Sequence, residues 1–154
     1  MYSGLKLIGV GNAFRNDDGV GIELAKRLSA QLPGSEFIQA SGEGAGLMES
    51  WSNSKLVYLF DAVSSGNQAG TVHRFDVNQQ PIPRGFFNYS THAFSVAEAV
   101  EMARVLDELP DSMVIYGIEG TNFDMGSTIS DDVFAACDEL EPQVIEEIRG
   151  RYNA

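Results

Sequence analysis

The sequence predicts an α/β protein: one domain over residues 1–154, a doubly wound, mainly parallel sheet with helices on both faces. Three observations predict it. Short apolar runs, clearest at Leu5–Val10 and Lys55–Phe60, break off at Gly or Asp as buried strands do. Between such runs, apolar residues recur at four-residue spacing, as on a helix face. The two kinds of segment alternate, and alternating strands and helices build a parallel sheet covered on both sides.

The elements follow in order. Leu5–Val10 is the first strand. From Asp18 the period changes, with Val20, Leu24, Leu28 and Leu32 four apart and Ala25 beside them, a helix closed by Pro33-Gly34. Glu36–Ala40 reads as the second strand, and Ser41-Gly42-Glu43-Gly44 as a loop into a short helix over Ala45–Ser52. Lys55–Phe60 is the third strand and ends on Asp61. Thr71–Asp76 is a fourth, and Asn78–Phe87, with Pro81 and Pro83, is irregular. Ala93–Leu109 reads as a helix stopped by Pro110, Met113–Glu119 as the fifth strand, and Ser130–Tyr152 as a helix bent or restarted at Pro142.

Charge and composition remove several function classes. Ten Lys and Arg stand against 22 Asp and Glu, a formal charge of −12. That balance opposes a broad nucleic-acid face, which needs clustered cations. The apolar fraction, 44%, is enough for a packed core. A single cysteine, Cys137, makes neither an internal disulfide nor a cysteine-rich zinc site, which points to the reducing cytosol. The run after Met1 is short for a signal peptide, and no stretch reaches the roughly 20 apolar residues of a membrane span. The expectation is a cytoplasmic protein with no membrane attachment and no nucleic-acid partner; the oligomeric state is not legible.

In a doubly wound sheet the ligand site lies beyond the carboxyl ends of the strands. Three chain positions fall at that edge: the turn after the first strand, Asp61 after the third and Glu119 after the fifth. The turn reads Gly9-Val10-Gly11-Asn12-Ala13-Phe14-Arg15-Asn16-Asp17-Asp18-Gly19-Val20-Gly21. It fails the dinucleotide fingerprint because Phe14 holds the third glycine position, and it lacks the Gly-Lys-Ser/Thr ending of a P-loop. Its two carboxylates would also repel a phosphate. Taken singly, Asp17 or Asp18 reads as a helix cap, Asp61 as a turn residue and His92 as a solvated residue ahead of a helix. Taken together, two carboxylates and one imidazole at strand-to-helix junctions suit a divalent metal, zinc and nickel alike. His73 alternates as a solvent-facing strand residue would. Cys137 lies in an apolar helical stretch, Trp51 and Phe86-Phe87 read as packing residues, and Glu139, Glu141, Glu146 and Glu147 as a solvated helix face.

The chain resembles the hydrogenase maturation endopeptidases, which trim the C-terminal extension from the large subunit of nickel–iron hydrogenases. The resemblance rests on the Gly9–Gly21 motif, Gly46-Leu47, Phe60-Asp61-Ala62-Val63 with Gly66 and Gly70, Ser90-Thr91-His92, Gly117-Ile118-Glu119 and Gly126–Ser130, in order along nearly the whole chain. The chain departs from the family where Glu119-Gly120 stand in place of the common Gln-Pro, and a glycine often found after the histidine is missing. The resemblance implies a doubly wound α/β fold and a peptidase whose catalytic and nickel-contacting set is Asp18, Asp61 and His92, with Asp17 as the structural member of the acidic pair. It implies nickel presented by the substrate, no organic cofactor, and a hydrogenase large-subunit precursor as partner. The hydrolysis is aspartic-type or metal-assisted. Two rival readings stand beside it, a non-catalytic nickel-binding accessory protein and a small-molecule or nucleotide-binding enzyme using the glycine turn.

Overall fold

The computed structural model describes residues 1–83, 86 and 95–153. Five strands, β1 (Leu5–Val10), β2 (Glu36–Ala40), β3 (Leu56–Val63), β4 (Val72–Asp76) and β5 (Ser112–Glu119), form one sheet in the order β2-β1-β3-β5-β4. All pairings are parallel except β4 with β5, which is antiparallel and makes β4 an edge strand. Strand order runs outward from β1 in both directions, so the topological switch point lies between β1 and β3.

Helices α1 (Val20–Gln31) and α4 (Asp131–Tyr152) cover one face, and α2 (Gly44–Trp51) and α3 (Val96–Val105) the other. Strand parity decides which residues meet which layer. Leu5 and Leu7 of β1, with Tyr58, Phe60, Val114 and Tyr116, pack under α1 and α4; Ile8, Val10, Val57, Leu59, Met113 and Ile115 pack under α2 and α3. The central strands β3 and β5 are buried almost end to end, as strands covered on both sides must be.

Several elements differ from the sequence reading, each for a physical reason. β3 continues through Asp61 to Val63, because β5 supplies ladder partners there: Asp61 pairs with Gly117 and Val63 with Glu119. α2 begins at Gly44, where the Glu43 carboxylate accepts from Ala45 N (3.0 Å) and Gly46 N (2.9 Å). α3 starts from a capping box of Ser95 and Glu98, and it ends well short of Leu109. Asp107 there takes a left-handed conformation (φ 57°) and donates to Arg104 O, while Glu108 donates to Ala103 O. That pair of bonds closes the helix as a Schellman motif with aspartate in the place usually held by glycine. Ala93 and Phe94 of the expected helix lie outside the described residues. α4 runs unbroken through Pro142, which sits on the exposed side where water can serve the carbonyl its missing N–H leaves.

The acidic face expected on α4 is not uniformly solvated. Glu147 accepts from Tyr58 Oη, Tyr116 Oη (2.6 Å) and the Arg74 guanidinium (2.9 and 3.1 Å). Burial would raise its pKa, but the bonds from Arg74 and the two tyrosines outweigh that and lower it. Glu141 accepts from Gln31 (2.7 Å) and borders Arg27. Cys137 and Trp51 are core residues, as expected. Among the described residues no helix is long and apolar enough to cross a membrane.

Candidate active site

The site is built at the carboxyl edge of the sheet by glycines that let α1 approach it. A Cβ on Gly9 would lie 2.6 Å from Ile22 Cα, and one on Gly21 2.3 Å from Phe60 O and 3.1 Å from Asp61 N. Helix α1 therefore starts in contact with the backbone of Asp61. Gly11 has φ 140°, and a Cβ there would meet Asp18 O at 2.0 Å, so the turn after β1 folds back on the short 3₁₀ turn Asn16–Gly19. That turn packs against β3. Asp18 thus sits on the turn that follows β1 and packs against β3, and Asp61 on β3 itself. Both carboxylates are buried, 7% and 3% exposed. Asp18 Oδ2 accepts from Asn12 N at 2.8 Å.

Asp17 has a different surrounding. Fully buried, it accepts from Thr121 N (2.8 Å), Asn122 N (2.9 Å), Ser130 N (2.6 Å) and Ser130 Oγ (2.9 Å). Burial pushes its pKa up, but the bonds from Ser130, Thr121 and Asn122 prevail and hold the carboxyl below the usual aspartate range. Its neighbour Asn16, at φ 49°, donates to Asp124 O (2.9 Å) and accepts from Thr128 N (3.0 Å). These two side chains bind the loop between β1 and α1 to the loop between β5 and α4. Neither Asp17 nor Asp18 caps α1, whose N-cap is Gly19 with no side-chain bond. The adjacency of Asp17 and Asp18 conceals a division of labour: one carboxylate is turned into the loop junction, the next toward the turn after β1.

A second polar cluster was not foreseen. Glu119, 1% exposed, accepts from Ser65 N (3.1 Å), Ser65 Oγ and His73 Nε2 (3.0 Å). Burial raises its pKa, and the bonds from Ser65, His73 and Asn67 more than reverse the effect, so Glu119 is a carboxylate. An acceptor-only partner assigns the proton on His73 to Nε2. His73 is therefore not the solvent-facing residue expected: it is only 19% exposed and meets the Phe86 ring edge-on at 4.8 Å. The signal was present in the sequence, since His73 shares strand parity with the buried Phe75. Gly117 pairs with both Asp61 and His73, so one row across the sheet reads Asp61, Gly117, His73. Two strand spacings put the outer pair about 10 Å apart at Cα.

His92, the third residue of the expected set, lies outside the described residues, as does Phe87. Among the described residues no three His, Cys, Asp or Glu side chains form a group able to hold a metal ion. Among the described residues, the turn bearing Asp18 packs against β3, which bears Asp61, and the Glu119–His73 pair lies farther along the same edge.

Comparison with known proteins agrees with this architecture. The family model for hydrogenase maturation protease (HycI) matches residues 22–147. The chain is 28% identical over 153 residues to a candidate hydrogenase maturation protease of Methanocaldococcus jannaschii, covering 93% of this chain and 95% of that one. It is 24% identical over 121 residues to the hydrogenase expression/formation protein HupD of Thiocapsa roseopersicina; that match covers 77% of this chain but only 55% of the relative. In fold it resembles the hydrogenase maturating endopeptidase HybD of Escherichia coli, with a TM-score of 0.77 at 20% identity over 96% of this chain and 93% of that one.

Proposed function

The chain belongs to the hydrogenase maturation protease family, and we propose that it is the endopeptidase that removes the C-terminal extension of a nickel-loaded nickel–iron hydrogenase large-subunit precursor. The observation that carries this reading is two buried carboxylates at the carboxyl edge, Asp18 on the turn after β1 and Asp61 on β3, the two strands that meet at the switch point where a doubly wound fold receives its ligand. Carboxylates and an imidazole are suitable donors for a divalent first-row ion. Asp18, Asp61 and His92 contact the nickel that the precursor carries, and so fix the scissile segment beside them. Nickel is here part of the substrate, and no organic cofactor takes part.

Hydrolysis adds one water across the peptide bond: the water oxygen attacks the carbonyl carbon, the C–N bond breaks, and a proton reaches the departing amine. Asp61 and Asp18 supply carboxylate oxygens that can accept the water's proton, and the ion in the substrate can lower the pKa of that water. Asp17 acts one step removed, by fixing the turn that bears Asp18. An acidic protein with a carboxylate-lined edge is suited to a polypeptide substrate bearing a cation at the cleavage locus.

Replacing Asp61 and His92 together by Ala tests the assignment. The expected result is loss of precursor cleavage with an unchanged far-ultraviolet circular dichroism spectrum and cooperative unfolding. Unimpaired cleavage by that variant would remove both residues from the site.

A further inference from the structure

We propose that Phe14 and Met125, with the hollow beside them, form the docking surface for the precursor polypeptide; this rests on the function proposed above. Phe14 is 70% and Met125 82% exposed, large apolar side chains left in water. They belong to different loops but lie side by side: Arg15 and Gly126 form a parallel bridge, Gly126 N donates to Phe14 O (2.8 Å) and Asn16 N to Gly126 O (2.8 Å). Beside these loops a hollow of about 130 Å³ opens against α1, lined by Ala13, Asn16 and Gly19 of the first loop, Ser127 and Ile129 of the second, and Ile22, Glu23 and Lys26 of the helix. Its size admits one aliphatic side chain.

The exposure is not slack in a loose loop. The buried side chains of Asn16 and Asp17 fasten both loops, and the Arg15 Nε–H donates to Phe123 O (3.0 Å). A rigid apolar ridge beside a hollow costs little ordering on binding, as interface anchors require. Its position indicates the occupant. Phe14 lies on the turn that carries Asp18, so a chain covering the ridge lies beside the loop that holds this carboxylate. Arg15 adds an exposed cation to a protein of charge −12, suited to a carbonyl or carboxylate of the arriving chain. The occupant is therefore the folded precursor next to its scissile segment: one side chain enters the hollow, its aliphatic part against Ala13, Ile22 and Ile129 and its end toward Glu23 and Lys26, and the apolar surface around it covers Phe14 and Met125. A second exposed apolar group, Met102, Val105 and Leu106 at the end of α3, lies at the opposite edge of the sheet and serves as the control.

Steady-state cleavage of nickel-loaded precursor by the Phe14→Ser/Met125→Ser variant tests the surface, with Val105→Ser alongside. The expected result is a KM raised about tenfold or more, kcat within about twofold, an unchanged melting temperature, and no effect of Val105→Ser. An unchanged KM, or a loss confined to kcat, would overturn the proposal. Failure of the functional reading is distinguishable, because the wild-type chain would then leave loaded precursor uncut. In that case retention of precursor by immobilised wild-type protein but not by the double variant would still support the surface, and equal retention or none by either would overturn it.

Discussion

Replacing Asp17 by Ala should cost about 3–5 kcal/mol of folding stability and abolish processing, although Asp18 remains in the chain. Four donors converge on the Asp17 carboxylate, three of them backbone N–H groups of Thr121, Asn122 and Ser130, within a fully buried junction. Each buried donor left without a partner costs about 1–3 kcal/mol, and losing the acceptor from a buried charged cluster costs about 3–5 kcal/mol in comparable cases. Asn is a gentler probe: either amide orientation turns an NH₂ toward groups that themselves donate, so about 2 kcal/mol is expected. The pH dependence has a definite sign. The folded-state pKa of Asp17 is lowered, so its contribution is complete above the unfolded value of about 3.9 and is lost as pH falls through the lower folded value. Urea unfolding of wild type, Asp17→Ala and Asp17→Asn at pH 7, with a wild-type series below pH 5, measures all three quantities. An Asp17→Ala variant within about 0.5 kcal/mol of wild type would refute the reasoning.

Other expectations are more local. Gly21→Ala places a Cβ against the Phe60 carbonyl and should cost about 3 kcal/mol in urea unfolding; near-neutrality would show that α1 does not depend on this close approach. Glu119→Gln leaves one acceptor oxygen for several donors and should cost about 1–2 kcal/mol. A double-mutant cycle with His73→Gln should give a coupling of about 1 kcal/mol, and additive single effects would contradict the pairing. Burial pushes the Cys137 thiol up to about 11, so iodoacetamide at pH 8 should label it only in urea; rapid labelling of native protein would contradict its burial.

The strands were legible where apolar runs end abruptly in glycine, as at β1, and harder to read where a carboxylate lies inside a central strand. Asp61 looks like a terminus locally, yet β5 carries the ladder two residues further. The end of α3 was hidden because aspartate rather than glycine takes the left-handed position at residue 107. At the site, the Gly9–Gly21 motif announced a glycine-rich turn with two candidate carboxylates. What it could not show locally is where Asp17 finds its donors, more than a hundred residues away at Thr121, Asn122 and Ser130. Glu119 was visible at the sheet edge, but its partner His73 comes from a strand that joins only through antiparallel pairing with β5. Long-range partners of this kind are set by topology, which periodicity does not encode.

The most direct test of the central claim is intact-mass analysis of hydrogenase large-subunit precursor, nickel-loaded and nickel-free, incubated with this protein. The account predicts a single C-terminal loss confined to the nickel-loaded form. Equal cleavage of nickel-free precursor would contradict nickel recognition through Asp18, Asp61 and His92, and an intact nickel-loaded cognate precursor would contradict the proposed processing activity itself.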